Sequence, residues 1–549
     1  MRRLRPMAAA LSAAAIVVTA LPAPAHAAAP ARGKAPGIAW GECPPPPPDS
    51  YRDPRQECAT VKVPLDYRKP HGRTIDVEIS RIATSTPARH RGVLLSNPGG
   101  PGGSGLDLPG ALATLLPAEV LDQYDLIGFD PRGIGHSTPV SCGVDMSPTS
   151  VTLHLPYPSP DGDIARNVAF AQRTAAECAR RNGPLLPHIT TANTARDMDR
   201  IRALLGEPKI SYYGGSYGSY LGAVYTSLYP QRSDRIILDS GVDPDLVWRD
   251  MWRTWNAAVT ERIEDFYAYA ATYPELFGLG ATPAAVRSTY SGVVKALDAT
   301  PLDLGDGLVL DGNYLREVTR SLLYADFYLP LLGTLVAELV PVTQGTSADL
   351  PSVATALRAT GALRDPAVEV PADNQISALY SVVCNDAVWP GSVARHARDV
   401  AAARRSWPLL NGMPSNVWPC AFWPTKPVEP PVAVTDRGPR NVLVLQNTRD
   451  PATPWTSGVG LREALGKRAA FVGVDQGGHG VFALGTCADA VVVEFLATGA
   501  LPARDRFCEG VAPPSPLARS LTARPYLPVG PLDGSAALFA AAAKARGTS

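Results

Sequence analysis

The stretch Tyr212-Tyr213-Gly214-Gly215-Ser216-Tyr217-Gly218-Ser219-Tyr220-Leu221 constrains this chain more than any other. The run Lys209-Ile210-Ser211 precedes it, and the small, mostly apolar Gly222-Ala223-Val224-Tyr225 follows. Together they predict a strand, a very tight turn and a helix. Gly214 and Gly218 sit two residues either side of Ser216, the Gly-x-Ser-x-Gly pattern of a nucleophile elbow. Such a turn strains the serine backbone, so the flanking positions must lack bulky side chains. The hydroxyl would project at a helix N-terminus, where backbone N–H groups and the helix dipole favour a developing oxyanion. Glycine and serine also fill ordinary turns, so a base, an acid and an oxyanion partner must be found elsewhere.

The chain is 549 residues long and 45% hydrophobic, enough for a large core and too much for one compact domain. Lysine plus arginine and aspartate plus glutamate balance at 51 each, which argues against nucleic acid or an anionic membrane as the main partner. Met1-Arg2-Arg3-Leu4-Arg5, an apolar run from Met7 to about Leu21, and Ala25-His26-Ala27 predict a secretory signal peptide over residues 1–27. The general secretory route is favoured over twin-arginine export, because Arg5-Pro6 lies where that signal wants apolar residues. No other segment reads as long and apolar enough to span a bilayer, so the mature chain is expected to be secreted without a membrane anchor. Residues 28–38 read as a leader or short pro-segment.

Eight cysteines in an exported chain suggest disulfides. Their spacing invites the pairs Cys43 with Cys58, Cys142 with Cys178, Cys384 with Cys420 and Cys487 with Cys508. The sequence does not fix that connectivity. No Cys-x-x-Cys spacing of a zinc or redox site occurs, and no metal or cofactor is expected.

Short apolar strands are predicted at Gly92–Ser96, Tyr124–Phe129, Arg235–Asp239, Asn441–Gln446 and Ala470–Val474, with an alternating, half-buried strand around Ile75, Val77 and Ile79. A helix is predicted from about Thr194 to Leu205. This alternation predicts an α/β fold, a mostly parallel central sheet with helices on both faces. From Asp243 the rhythm becomes helical and rich in tryptophan and tyrosine. The organisation expected is therefore a core over 39–242, a large helical cap insertion over 243–435, and the rest of the core over 436–549.

In an α/β-hydrolase the triad follows the order serine, acid, histidine, on loops after strands. Two loops beyond the insertion fit, Asn447-Thr448-Arg449-Asp450-Pro451-Ala452-Thr453-Pro454 and Asp475-Gln476-Gly477-Gly478-His479-Gly480-Val481. His479 is the expected base for Ser216, and Asp450 the acid that holds its tautomer. His396 also follows the serine, but in an arginine-rich helical stretch that reads as a solvated face. Asp475 has poor reach, and Asp239 competes with Asp450 from the end of the strand after the elbow. The oxyanion donors expected are the N–H of Tyr217 and that of Gly100, with Gly99 as the alternative, from the loop Asn97–Gly105. A flexible linker is the plainer reading of that loop, but it directly follows a buried strand. A phosphate loop would want a lysine after the glycines.

Asn97-Pro98-Gly99-Gly100-Pro101-Gly102 resembles the His-Gly-Gly-Pro-Gly loop of prolyl aminopeptidases, with Pro98 where that family has histidine. Asp130-Pro131-Arg132-Gly133-Ile134-Gly135-His136-Ser137 resembles the same family's Asp-x-Arg-Gly-x-Gly-x-Ser turn. With the elbow, the Asp450-x-x-Thr-Pro loop, Gly478-His479-Gly480 and the insertion bearing Cys384-Asn385-Asp386, the chain most resembles the secreted bacterial tripeptidyl aminopeptidases. That resemblance implies a serine exopeptidase releasing short peptides, tripeptides among them, from substrates with a free N-terminus. It further implies a cap that blocks one end of the cleft, and carboxylates for the substrate ammonium, with Asp386 the candidate. Trp248, Trp252, Trp255 and Tyr267 would line the cap or pack its core. Some relatives of this type are better described as carboxylesterases, so esters or amides of small molecules form the alternative substrate class.

Overall fold

The structure is a computed structural model describing residues 38–46, 52–305, 307–360 and 370–516. The expected signal peptide and nearly all of the expected leader lie outside the described residues. The apolar runs form a nine-stranded sheet. Its strands are β1 (Glu57–Pro64), β2 (Thr74–Ile82), β3 (Gly92–Asn97), β4 (Tyr124–Phe129), β5 (Ile210–Gly215), β6 (Ser233–Asp239), β7 (Val442–Arg449), β8 (Ala469–Gly477) and β9 (Arg506–Glu509). They lie in the order β1-β2-β4-β3-β5-β6-β7-β8-β9. β2 is antiparallel to both β1 and β4, and every other pairing is parallel. Successive side chains of a strand point to opposite faces. Val93 and Leu95 therefore enter one buried cluster and Leu94 the other, and Ile236 and Leu238 are divided from Ile237 in the same way. Burial on both faces is why these strands read as unbroken apolar runs. β7 and β8 continue past the expected ends at Gln446 and Val474, because Gly477 pairs again with Arg449 beyond an irregularity in the ladder.

Helix α1 (Thr191–Leu204) starts three residues earlier than the apolar face predicts, because the Thr190 side chain accepts the Asn193 N–H and caps it. Helix α2 (Tyr217–Leu228) begins directly at the elbow. The chain leaves the sheet at Asp239 and returns at Val442. Among the described residues between, a two-residue strand pair aside, the regular structure is helical. The helices that matter below are α3 (Trp255–Ala271), α4 (Gly312–Leu322), α5 (Leu329–Thr343), α6 (Asn374–Asp386) and α7 (Val393–Ser406). This segment is termed the cap.

Two expectations fail here. Asp326–Thr343 is long and apolar enough to cross a bilayer by length and composition. Leu329, Leu332, Leu335, Val336 and Leu339 within it are fully buried, so its apolar face is spent inside the cap. His396 is fully buried rather than solvated. It occupies the inward face of α7 with Nε2 2.9 Å from the Pro390 carbonyl oxygen.

The cap is fastened to the core by polar groups. The Asn374 side chain accepts the Gly135 N–H and donates to the carbonyls of Gly133 and Val140, all at 2.8 Å. Asp373 accepts the N–H groups of Cys142 and Val144 at 2.9 and 3.0 Å. Disulfides join Cys43 to Cys58, Cys142 to Cys178, Cys384 to Cys420 and Cys487 to Cys508. Trp252 stacks with Trp255 and Trp418, so these rings fill the cap interior.

Under the glycine-rich turns lies a wholly buried ion pair. Arg132 makes two bonds of 2.7 Å to Asp197 and donates to the carbonyls of Pro64, Leu65 and His188. Tyr67 gives Asp197 a third donor at 2.8 Å. Asp197→Ala strands a buried guanidinium and should cost about 3–5 kcal/mol. Denaturant unfolding measures this; a loss below about 1 kcal/mol, the range of exposed pairs, would contradict it.

Candidate active site

Ser216 stands between β5 and α2 with φ 57° and ψ −124°, a conformation that costs a residue bearing a Cβ. Close packing enforces it. A Cβ at Gly218 would lie 2.7 Å from the Asn97 carbonyl oxygen, and one at Gly214 would run into the Gly218 carbonyl. The Ser216 N–H donates to the Asp239 carbonyl at 2.9 Å, continuing the β5–β6 ladder through the turn. Its side chain is left partly exposed, in a region where its neighbours on both sides are buried.

The end of β6 carries the histidine loop too. Asp239 accepts the N–H groups of Val481 and Phe482, both at 2.9 Å, and the Tyr213 hydroxyl at 2.8 Å. Ser240 Oγ accepts the Gly480 N–H at 2.7 Å. Asp239 is thus engaged in holding the loop, and the carboxylate bonded to the imidazole is another. Asp475 is more than half exposed and pairs with Arg449 at 2.5 Å.

Asp450 is the carboxylate that meets His479. Its two oxygens lie 3.0 and 2.8 Å from His479 Nδ1, and both residues are buried. An ionised carboxylate only accepts, so Nδ1 carries the proton and Nε2 is the basic nitrogen. Asp450 is held in turn by the N–H groups of Ala452 and Thr453 at 2.8 Å and the Thr453 hydroxyl at 2.9 Å. Sequence reasoning missed Asn447, whose side chain donates to the carbonyls of Gly478 and Gly480 at 2.9 and 2.8 Å. It also missed Tyr324 of the cap, whose ring lies edge-on to the imidazole at 5.1 Å. Asn447 could have been sought beside the acid in its loop; Tyr324 carries no local signal.

The glycine-rich loop folds over the elbow. A Cβ on Gly99 would come within 2.6 Å of the Gly215 carbonyl oxygen and 2.9 Å of Ser216 Cβ. The Gly99 N–H is taken by the Asn97 side chain at 3.0 Å. The Gly100 and Tyr217 N–H groups, by contrast, have no hydrogen-bond acceptor among the described residues. Asp130 fixes the far end of the loop, accepting Ser104 Oγ at 2.5 Å, the Gly105 N–H at 3.1 Å and the His136 N–H at 2.8 Å. Burial pushes the Asp130 carboxyl up to about 6.

Asp386, the residue expected to meet the substrate ammonium, lies where α6 meets α1. It is buried at the end of α6, accepting the Thr191 N–H at 2.9 Å, Thr191 Oγ1 at 2.6 Å and Trp248 Nε1 at 3.1 Å. Trp248 in turn packs on Tyr217 and Tyr220. These contacts describe a tie between α1, α6 and the base of the cap, with three protein donors where an ammonium would need room. A small pocket lies alongside, lined in part by Tyr220, Asn385, Asp386 and Glu429. Glu429 is itself paired with Arg196.

Burial pushes Asp386 up to about 6, so the native state keeps a proton that the unfolded chain releases near its ordinary value of about 4. Its contribution to stability therefore falls as pH rises from about 4 to about 6, then levels. Asp386→Asn should make the fall of Tm over that window shallower, with Asp130 and the other carboxyls that burial raises supplying what remains. Superimposable Tm–pH slopes for the two proteins would contradict this.

Residues 92–486 match the model of the α/β-hydrolase fold family. The chain is 34% identical over 500 residues to a tripeptidyl aminopeptidase of Streptomyces coelicolor, covering 89% of each protein. It is 29% identical over 470 residues to the serine protease Hip1 of Mycobacterium tuberculosis, covering 82% of this chain and 87% of that one. A carboxylesterase B of the same organism is 30% identical over 529 residues, with 92% and 99% covered. By these matches and by its fold, the chain belongs to the α/β-hydrolase family and, within it, to the serine hydrolases that include the tripeptidyl aminopeptidases.

Proposed function

We propose that this protein is a secreted serine exopeptidase that cleaves peptide bonds near free N-termini, releasing tripeptides through an acyl-enzyme. The observation that carries the reading is the buried Asp450–His479 pair at 2.8 Å, on a loop bound to the same strand end as Ser216. In the proposed mechanism His479 Nε2 takes the Ser216 proton as Oγ attacks the scissile carbonyl. The tetrahedral oxyanion is received by the N–H groups of Tyr217 and Gly100, both without an acceptor among the described residues. His479 then protonates the leaving amine, and water deacylates the enzyme by the reverse proton path. Asp450 keeps the imidazole in the useful tautomer and stabilises its protonated form. Tripeptide release is supported by the relative named for that activity. Export is supported by the four disulfides, which fit an oxidising compartment, and by the sequence of the first 27 residues.

The test compares tripeptide p-nitroanilides with free and with acetylated N-termini. A free ammonium bound by charge-assisted contacts should favour the first substrate roughly 10- to 100-fold in kcat/KM. Equal turnover of the two would point to an endopeptidase. Ester hydrolysis without peptide cleavage would select the carboxylesterase reading, which the 30% identical carboxylesterase B favours. Ser216→Ala should lower kcat by at least about 10⁴-fold on whichever substrate is used.

A further inference from the structure

We propose that Arg262, on cap helix α3, is a positioning residue for His479, acting through the cap turn Leu323–Asp326. The inference rests on the triad reading given above.

The turn lies directly on the histidine loop. The His479 N–H donates to the Tyr324 carbonyl at 2.8 Å. Gly478, at φ 105°, admits this approach: a Cβ there would be 2.7 Å from that carbonyl oxygen and 3.3 Å from Ala325 Cα. The Tyr324 ring then sits edge-on to the imidazole, at 5.1 Å between centroids. One face of the histidine and its backbone N–H are thus set by the cap, while Asp450, Asn447 and Ser240 hold the loop from the core.

Arg262 braces this turn. It is fully buried, and its Nε donates to the Leu323 carbonyl at 3.0 Å. Its two terminal nitrogens reach Asp326 at 2.5 Å and Asp265 at 2.6 Å. Both carboxylates also grip the core. Asp326 accepts Gln476 on β8, and Asp265 pairs with Arg449 on β7 at 3.0 Å. The guanidinium lies against Gly477, two residues before His479, and a Cβ there would collide with it. A planar fork with five donors can meet a carbonyl and two carboxylates at once, which a lysine cannot. The hydrogen bonds of Arg262 go to Leu323, Asp265 and Asp326, not to Ser216 or the Gly100 loop, so its effect on chemistry passes through the histidine.

A cap that only bound substrate would act on KM for peptides and leave a small acetate ester untouched. A brace that sets the base acts on kcat for both. The experiment measures kcat and KM of Arg262→Met, Arg262→Lys and wild type on p-nitrophenyl acetate and on a tripeptide p-nitroanilide, with the near-ultraviolet circular dichroism of each variant recorded. Since misplacing a reacting group by about 1 Å can cost 10²-fold, Arg262→Met should lose roughly 10- to 100-fold in kcat on both substrates, with KM nearly unchanged. Arg262→Lys should recover part of that loss. Should Arg262→Met not fold, the isosteric Asp326→Asn decides, with an expected fall of kcat of roughly 3- to 10-fold on both substrates. A wild-type kcat on the acetate ester in a folded variant, or a loss confined to KM or to the peptide, would overturn the inference while leaving the triad standing. If Ser216→Ala kept the wild-type rate on both substrates, the triad reading itself would fall and the inference with it.

Discussion

The backbone at Ser216 is held at φ 57° and ψ −124°, a conformation that no side-chain-bearing residue adopts without cost. It persists because the surroundings leave no alternative. Asn97 at the end of β3 presses on Gly218, Gly214 presses on the Gly218 carbonyl, and β6 takes the Ser216 N–H. Three neighbouring strand ends therefore converge on one residue. The glycine-rich loop folds onto that point from β3, the histidine loop is fastened to β6, and α2 starts there. Disturb the elbow and each of these loses its reference.

Buried carboxylates do much of the fastening. Asp130, Asp239, Asp373 and Asp450 each accept backbone N–H groups from a loop that has no regular structure of its own, and Asp386 accepts the first N–H of α1. An ionised carboxylate makes strong, short bonds to such donors and satisfies groups that would otherwise be orphaned in a dry interior. Taking the charge out of water opposes this, and burial raises the Asp130, Asp239 and Asp386 carboxyls. Loop geometry is thereby made precise at a cost in global stability. The cap uses the same device, and its histidine-side turn is clamped by Arg262 between two acids rather than by apolar packing alone.

Much of this was legible in the residue order, for physical reasons. Strands buried on both faces must be apolar throughout, so Gly92–Ser96, Tyr124–Phe129 and Ala470–Val474 announce themselves. A strained serine requires glycines at fixed offsets, and a histidine on a tight loop brings Gly478 and Gly480 with it. Tyr324 and Arg262 gave no signal, because their partners lie far along the chain and neither sits in a recognisable local pattern. Asp386 is likewise silent about its protein partners, because its donors, Thr191 and Trp248, lie far off in sequence. His396 was hidden by the charges around it, since an amphipathic helix can bury one polar residue among solvated arginines. The apolar α5 misleads in the opposite sense, because a buried cap helix and a membrane span share a composition.

In the proposed reaction Ser216, activated by His479 and Asp450, forms a covalent bond to its substrate. Reaction with a fluorophosphonate, followed by proteolytic mapping in a mass spectrometer, tests it most directly. A single adduct is expected on the peptide bearing Ser216, absent after heat denaturation and in His479→Ala. An adduct on another serine, or undiminished labelling of Ser216 without His479, would contradict it.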